Sequence, residues 1–195
     1  MSDLPWDMPP QTKAAYEPIR GAWVIRRLMA DPRLGIKKII HAAAIVGNLA
    51  GESGIRAINE GHPTVPGSRG GWSWAQWTGS RRDDFEAFCS ENNFSLTSDE
   101  GAYEFLVVEL LGSEAHAWTQ TQKTTTLLAA TETFEILFER PASTADASKR
   151  TGFAQQALDA IPLLFETPVV VNPPVVVNPP SAPVDTRTQD LIAAV

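Results

Sequence analysis

The sequence predicts a mainly α-helical domain that carries one small irregular lobe and is followed by a proline-rich linker. Apolar residues recur at helical spacing through most of residues 1–166, whereas Gly and Pro crowd residues 55–78. Of the 195 residues 43% are hydrophobic and 20% are charged, so the chain can bury a sizeable core. The net charge of −7 argues against a generic nucleic-acid binder, which would be basic.

Two helices are expected before the lobe. Pro18 suits the first turn of one helix, which ends near Asp31. Apolar residues from Ile36 to Ala50 recur at i, i+3, i+4 and i+7, which predicts the second and most regular helix. That helix ends at the sequence Glu-Ser-Gly, where Gly54 suits a left-handed cap.

Four helical segments are expected after the lobe, at residues 81–92, 103–111, 126–139 and 145–165. The run from Thr97 to Glu100 fits a capping box before the second of them. The sequence VVVNPP then occurs twice, at 169–174 and 175–180, which is typical of an extended spacer. We therefore expect a domain at 1–166, a Pro/Val-rich linker at 167–186 and a fragment of a further segment at 187–195.

The cysteine content and the N-terminus indicate where the protein is made. The lone Cys89 permits no internal disulfide, and its helical spacing with Phe85 and Phe88 predicts a buried thiol rather than a nucleophile. Residues 1–10 lack the pattern of a signal peptide, so we expect synthesis in the cytoplasm. The histidines are too scattered to predict a metal site.

Glu52 is the first candidate for chemistry, because it stands at the C-terminal end of the most regular helix. The helix dipole and a nearby apolar face would both raise the pKa of its carboxyl group. A general acid for glycosidic cleavage needs such a raised pKa. The alternative is a solvated glutamate beside a helix end.

A tryptophan cluster is the second candidate. Trp72, Trp74 and Trp77 lie within six positions in a Gly-rich segment, with Gln76 between them. Trp72 and Trp74 would share a face if the segment were extended, and flat aromatic rings suit sugar rings. Gln76 could bond hydroxyl or acetamide groups. The alternative is that Trp74 and Trp77 pack the lobe against the helices.

Four stretches together resemble the phage tail lysozyme family over about residues 20–160. They are AAIVGNLAGESG, ending at Gly54, WAQWTGSRR, starting at Trp74, FLVVEL at 105–110 and FEILFERP at 134–141. The resemblance implies a lysozyme-like, α-rich fold of two lobes that cleaves the peptidoglycan glycan strand, with Glu52 as the catalytic acid. Ser53 and Gln76 match a Glu-Ser and Gly-x-x-Gln pair of the wider superfamily, which includes lytic transglycosylases. One departure adds bulk beside the cleft, since Trp72-Ser73-Trp74 replaces the common aromatic-Gly-Ile.

Hydrolysis by two carboxylates needs a partner for Glu52. Glu60 is our first candidate, with Asp83 and Asp84 as alternatives. Glu109 and Glu139 match the family pattern, but each follows an apolar run, so we expect structural hydrogen bonds or solvated faces for them. Without a partner Glu52 would act alone, first as acid and then as base, and would form an anhydro sugar as lytic transglycosylases do.

The leading hypothesis is therefore a murein hydrolase that cleaves β-1,4 glycan bonds as a phage endolysin or tail lysozyme, without cofactor or metal. It would act on the bacterial wall after export through a holin lesion, as part of a tail, or through an anchor beyond the linker. Its expected partner is the glycan strand and not nucleic acid, and we expect a monomer. The alternatives are a non-catalytic peptidoglycan-binding or tail structural module and, more remotely, a peptidase that uses Cys89.

Overall fold

The computed structural model describes residues 6–13, 15–61, 63, 67–141 and 146–165. Helices dominate these residues, and no β-strand occurs among them. The helices are α1 Pro18–Ala30, α2 Ile39–Ser53, α3 Gly79–Glu91, α4 Asp99–Leu111, α5 Ala115–Thr121, α6 Leu127–Phe134 and α7 Ala147–Ala160. The α-rich fold class is therefore confirmed. The linker at 167–186 and the fragment at 187–195 lie outside the described residues.

Helix α2 lies at the centre of the fold and packs against α1, α6 and α7. Its residues from His41 to Ala50 are all buried, so neighbouring elements cover α2 on every side. Two glycines of α2 let α7 pack closely against it. A Cβ added at Gly47 would clash with the backbone of Arg150, and one at Gly51 would lie 3.0 Å from Nη1 of the same residue.

The predicted ends of the first two helices are confirmed. Pro18 occupies the first turn of α1, where its missing N–H costs no hydrogen bond. Gly54 closes α2 with a φ of 69°, the left-handed conformation that favours glycine. The capping box predicted at Thr97 was wrong by one residue, because the hydroxyl of Ser98 accepts from Gly101 N–H at 3.1 Å. Helix α5 was not predicted, since its seven residues are too few to show a period.

The predicted helix at 126–139 consists of two parts. Helix α6 ends at Phe134, and Glu135–Glu139 forms a π-helical turn in which Arg140 N–H donates to Glu135 C=O at 3.0 Å. The turn ends because Arg140 adopts a φ of 53°. Such a turn inserts one extra residue and changes which side chains face the core. The last helix also divides, into α7 and the 3-10 turn Ile161–Phe165.

The irregular lobe is a set of turns. Trp72 forms isolated bridges with Asn59 and Trp77, and the segment between the two tryptophans reverses direction. Ser73 and Gln76 have positive φ values of 64° and 48°. The tryptophan segment is therefore not an extended strand, and the expectation that alternation would put Trp72 and Trp74 on one face was wrong.

The lobe is fastened to the helices by an aromatic cluster. Trp77 stacks on Phe85 of α3 with ring centroids 4.7 Å apart and meets Phe105 of α4 edge-on at 5.0 Å. The thiol of Cys89 is buried nearby, as expected. No helix in the described part of the chain is both long and apolar enough to cross a membrane.

Candidate active site

Glu52 lies in the last turn of α2, where its side chain is 23% exposed. It lines a cavity of about 310 Å³ at the end of the helix, with residues of α7 on the opposite wall. The remaining lining residues on which the site depends are Tyr16, Ser53, Arg56, Lys149 and Phe153. The sequence therefore located a carboxylate that reaches open space at the end of a buried helix.

The carboxylate of Glu52 is held by Arg150 of α7. Nη2 of Arg150 lies 2.6 Å from Oε1 of Glu52, and Nη1 donates to Asn48 C=O at 3.1 Å. Nε of the same guanidinium lies 3.1 Å from Oε1 of Glu135, which is fully buried. The sequence led us to expect apolar surroundings for Glu52, but its closest polar neighbour is a cation supplied from 98 residues away.

Glu139, at the end of the π-helical turn, is a further carboxyl group, and the charge of Glu52 acts on it. Its Oε1 is inaccessible to solvent and has no hydrogen-bond partner among the described residues. Burial raises the pKa of Glu139 well above its usual range, and the charge of Glu52 raises it further, while Arg81 and Arg150 oppose this.

Glu139 is half-buried, and its Oε1 makes no hydrogen bond to the described residues, so the structural hydrogen bond or solvated face that we expected for it stays a prediction. The only signal in the sequence was a glutamate between two bulky runs in the stretch FEILFERP. That signal names the residue but not its neighbours, which come from four other helices.

Glu109 of α4 makes the structural hydrogen bonds that we expected. Arg81 donates to both of its carboxylate oxygens, at 2.8 and 3.0 Å. Trp77 Nε1 donates to the same carboxylate at 2.6 Å. Glu109 therefore joins α3, α4 and the lobe, and its charge is balanced by Arg81.

The tryptophan cluster divides into buried and accessible members. Trp74 and Trp77 are both 0% exposed, and Trp74 Nε1 donates to Asp99 at 3.0 Å. Neither ring has a free face for a sugar, so the packing alternative holds for both of them. Trp72 is half-buried, and its Nε1 donates to Leu96 C=O at 3.0 Å. Trp72 is thus the member of the cluster that could still contact a ligand.

Ser53 connects the lobe to the end of α2, and Gln76 joins two parts of the lobe to each other. The buried hydroxyl of Ser53 donates to Trp74 C=O at 2.8 Å and accepts from Arg56 N–H at 3.2 Å. The side-chain amide of Gln76 donates to Ile58 C=O and to Ser73 C=O, at 3.1 and 2.8 Å. The bond from Ser53 to Trp74 fixes the end of α2, and with it Glu52, relative to the lobe.

The carboxylates proposed as partners of Glu52 have contacts of their own. Oε2 of Glu60 accepts from Gly71 N–H at 2.9 Å, which closes the lobe. Asp83 pairs with Arg69 at 2.5 Å, and Asp84 is exposed on α3. None of the three lines the cavity that contains Glu52.

The thiol of Cys89 is a poor candidate for a nucleophile. Burial raises the pKa of this thiol to about 11, so it is neutral at physiological pH. It also lies in the core, away from the residues that line the cavity of Glu52. Cys89 is therefore not the activated nucleophile that the peptidase hypothesis requires.

The sequence is similar to one known protein family. The sequence profile described as phage tail lysozyme matches residues 35–161, which include α2, the lobe, the π-helical turn and α7. No curated protein matches the chain significantly. Because the profile covers about two thirds of the sequence, the chain belongs to the phage tail lysozyme family.

Proposed function

We propose that this protein cleaves the β-1,4 bonds of the peptidoglycan glycan strand by general acid catalysis, as a phage endolysin or tail lysozyme. The observation that carries the proposal is the carboxylate of Glu52, which lines an open cavity at the end of a rigid, buried helix. Membership of the phage tail lysozyme family supports a murein hydrolase in general. The proposed chemistry is acid catalysis and needs no cofactor.

In this proposal Glu52 donates a proton to the oxygen that leaves the broken glycosidic bond. Trp72 and Gln76 contact the sugars from the lobe. Ser53, Trp74 and Trp77 do not contact the sugars in this proposal. Their buried contacts hold the lobe against α2, α3 and α4. Export by a holin lesion or delivery with a tail would bring the protein to the wall.

The second step of the reaction separates a hydrolase from a transglycosylase. A hydrolase needs a second carboxylate that attacks the sugar or activates water. Glu60 stays our candidate for that role, in a conformation in which substrate draws it from Gly71. A transglycosylase would use Glu52 alone, and the sugar's own hydroxyl would close a 1,6-anhydro ring.

The deciding experiment compares the wild-type protein with Glu52→Gln on purified peptidoglycan. The exposed glutamate of α3 supplies a matched control, Glu91→Gln. We expect the wild type and the control to release soluble fragments, and we expect Glu52→Gln to bind sacculi without releasing any. Release by Glu52→Gln at the wild-type rate would rule out Glu52 as the acid. A wild type that binds but releases nothing would favour the non-catalytic module.

Mass spectrometry of the released fragments identifies the reaction. Products with water added to a reducing end indicate a glycosidase, and Glu60→Gln should then reduce their rate by at least about 100-fold. Products lighter by one water indicate a lytic transglycosylase, and Glu60→Gln should then leave the rate unchanged.

A further inference from the structure

We propose that Arg56 and Lys149, two cations in the lining of the cavity that contains Glu52, bind a carboxylate of the substrate. The protein therefore prefers glycan strands that carry carboxylates over neutral strands. The link from this preference to cleavage rests on the proposed function. The binding itself does not, because it is measured without any cleavage.

The first argument is the charge of the cavity. Among the described residues, its lining contains one acidic side chain, that of Glu52, and two basic ones, those of Arg56 and Lys149. The charge of Glu52 is already met by Arg150, whose Nη2 lies 2.6 Å from Oε1 of Glu52. The cavity is thus basic in a chain whose net charge is −7, and a basic cavity attracts an anionic ligand.

The second argument is that the guanidinium group of Arg56 is held in place without a carboxylate. Its Nε donates to Ser53 C=O at 2.6 Å, and its backbone N–H donates to Ser53 Oγ at 3.2 Å. Neither bond uses the two terminal nitrogens, and no hydrogen bond joins these nitrogens to the described part of the chain. Two such nitrogens can bind a carboxylate through parallel hydrogen bonds.

Arg56 differs in this respect from the other arginines that the structure describes. Each of those either pairs with a carboxylate or lies over an aromatic ring. The half-buried side chain of Arg56 instead bonds to the end of α2 and lines the cavity. Since the charged fork has no anionic partner there among the described residues, an anionic ligand is the partner that its chemistry favours.

The third argument is that a row of contacts joins the two cations along one wall. A Cβ added at Gly54 would lie 3.2 Å from Nε of Arg56 and 3.3 Å from the backbone N of Tyr16. The ring of Tyr16 meets that of Phe153 edge-on, with centroids 5.2 Å apart. Nζ of Lys149 lies 5.9 Å from the centre of the Phe153 ring. The wall therefore has a cation at each end and two aromatic rings between them.

Peptidoglycan supplies carboxylates beside the bond that the proposed function would cleave. Every second sugar of its strand carries a lactyl ether, and a short peptide with free carboxylates is attached to this ether. Where the peptide has been removed, the lactyl group itself ends in a carboxylate. A chitin strand has a similar backbone of N-acetylated sugars without any carboxylate. A carboxylate bound by Arg56 would lie close to Glu52, because Arg56 is bonded to the residue that follows Glu52.

Three soluble ligands separate the sources of the carboxylate. They are the disaccharide-peptide of peptidoglycan, the same disaccharide without its peptide, whose lactyl carboxylate is free, and a neutral chitin disaccharide. In NMR titrations of the full chain at low salt, we expect a carboxylate ligand to bind about tenfold more tightly than the chitin disaccharide. Tighter binding of the disaccharide-peptide identifies a peptide carboxylate, and tighter binding of the shortened disaccharide identifies the lactyl group. Equal affinity for all three ligands, or no binding of either carboxylate ligand, would overturn the proposal.

Substitution of the two cations tests whether they cause the preference. Arg56→Gln should remove most of the tenfold preference and Lys149→Gln about threefold of it, and neither should change the affinity for the chitin disaccharide. Arg56→Lys keeps the charge but loses the fork, so it should retain part of the preference. Lys37→Gln, at an exposed position outside the cavity, is the matched control and should bind as the wild type does.

The proposal is overturned if Arg56→Gln keeps the full preference for the carboxylate ligand. Should Arg56→Gln fold poorly, Lys149→Gln decides instead, because Lys149 is exposed on α7 and its loss leaves the packing intact. An unchanged preference in Lys149→Gln and in Arg56→Lys would then overturn the proposal.

Fragment release from purified peptidoglycan connects the preference to the reaction. Arg56→Gln should raise KM about tenfold and leave kcat near the wild-type value, since the contact binds substrate and transition state alike. If the wild type releases no fragments but the titrations show the preference, the proposed function fails and the carboxylate site stands. If fragments are released but the three ligands bind equally, the carboxylate site fails and the proposed function stands.

Discussion

Arg150 of α7 places its guanidinium 2.6 Å from the carboxylate of Glu52 at the end of α2. The contact depends on two glycines one helical turn apart, Gly47 and Gly51, because a side chain at either position would collide with Arg150 or come within 3.0 Å of it. The site is therefore built by the close packing of α2 on α7. The motif that contains Glu52 supplies both the carboxylate and the room for its partner.

Arg150→Met should destabilise the protein strongly. The substitution keeps the apolar stem but leaves Glu135 buried without its cation and removes the partner of Glu52. Breaking a buried ion pair in this way costs about 3 kcal/mol or more. Urea denaturation measures the loss, and Lys149→Met, at an exposed neighbouring position, should change the free energy of unfolding by less than about 0.5 kcal/mol. A loss below about 1 kcal/mol for Arg150→Met would show that the pair is not a structural link.

Gly47→Ala should separate α2 from α7. The new Cβ would meet the carbonyl oxygen of Arg150 well inside contact distance and would lie 2.9 Å from Cβ of Ala154. Overpacking of this kind costs about 1–3 kcal/mol, which exceeds the gain of up to about 1 kcal/mol in helix propensity. Thermal denaturation should therefore show a lower Tm.

Gly152 provides the matched control for Gly47→Ala. It lies in α7 with nothing within 4 Å of the position of an added Cβ. Gly152→Ala should thus gain helix propensity without overpacking and raise the Tm. If both alanines raise the Tm, the helices can separate at little cost and the close contact is not required.

Much of the fold could be predicted because its signals are local. The period of α2 and the cap at Gly54 follow from neighbouring residues, and both agree with the structure. Two features could not be predicted in that way. The π-helical turn interrupts an apolar pattern that reads as one continuous helix, and α5 is too short to show a period.

The candidate site likewise contains some residues that local sequence could predict and others that depend on long-range contacts. Glu52 was found from its position at a helix end, whereas Arg150 meets it only after distant helices pack together. The burial of Trp74 and Trp77 also depends on long-range contacts, with Asp99 and Glu109. Sequence pattern alone could not separate these two rings from Trp72, because all three share one glycine-rich segment.

Trp72 and Trp77 should respond differently to substitution. Trp77→Phe keeps an aromatic ring but loses the hydrogen bond to Glu109, so the free energy of unfolding should fall by about 2 kcal/mol. The affinity of the Trp77→Phe variant for sacculi should stay unchanged. Trp72→Ala should weaken binding to sacculi about tenfold through the loss of a sugar contact. Equal affinity of wild type and Trp72→Ala in a sedimentation assay would remove Trp72 from the substrate site.

Glu139 should make the stability of the wild type depend on pH in an unusual direction. Its pKa in the folded protein is well above the ordinary value of 4.5 that applies when the chain is unfolded. The folded state therefore binds more protons than the unfolded state once the pH exceeds about 4.5. The resulting stability is complete below pH 4.5 and is lost as the pH rises through the pKa of the folded state. Glu135, whose pKa burial also raises, acts in the same direction.

Glu139→Gln should abolish the part of the pH dependence of stability that Glu139 causes, because glutamine stays neutral at every pH. We expect the Tm difference between variant and wild type to grow in favour of the variant from pH 4 to pH 8. The measurement is a series of thermal denaturations across that range, with Glu132→Gln as the control that should follow the wild type. A difference that stays constant with pH would mean that Glu139 titrates normally.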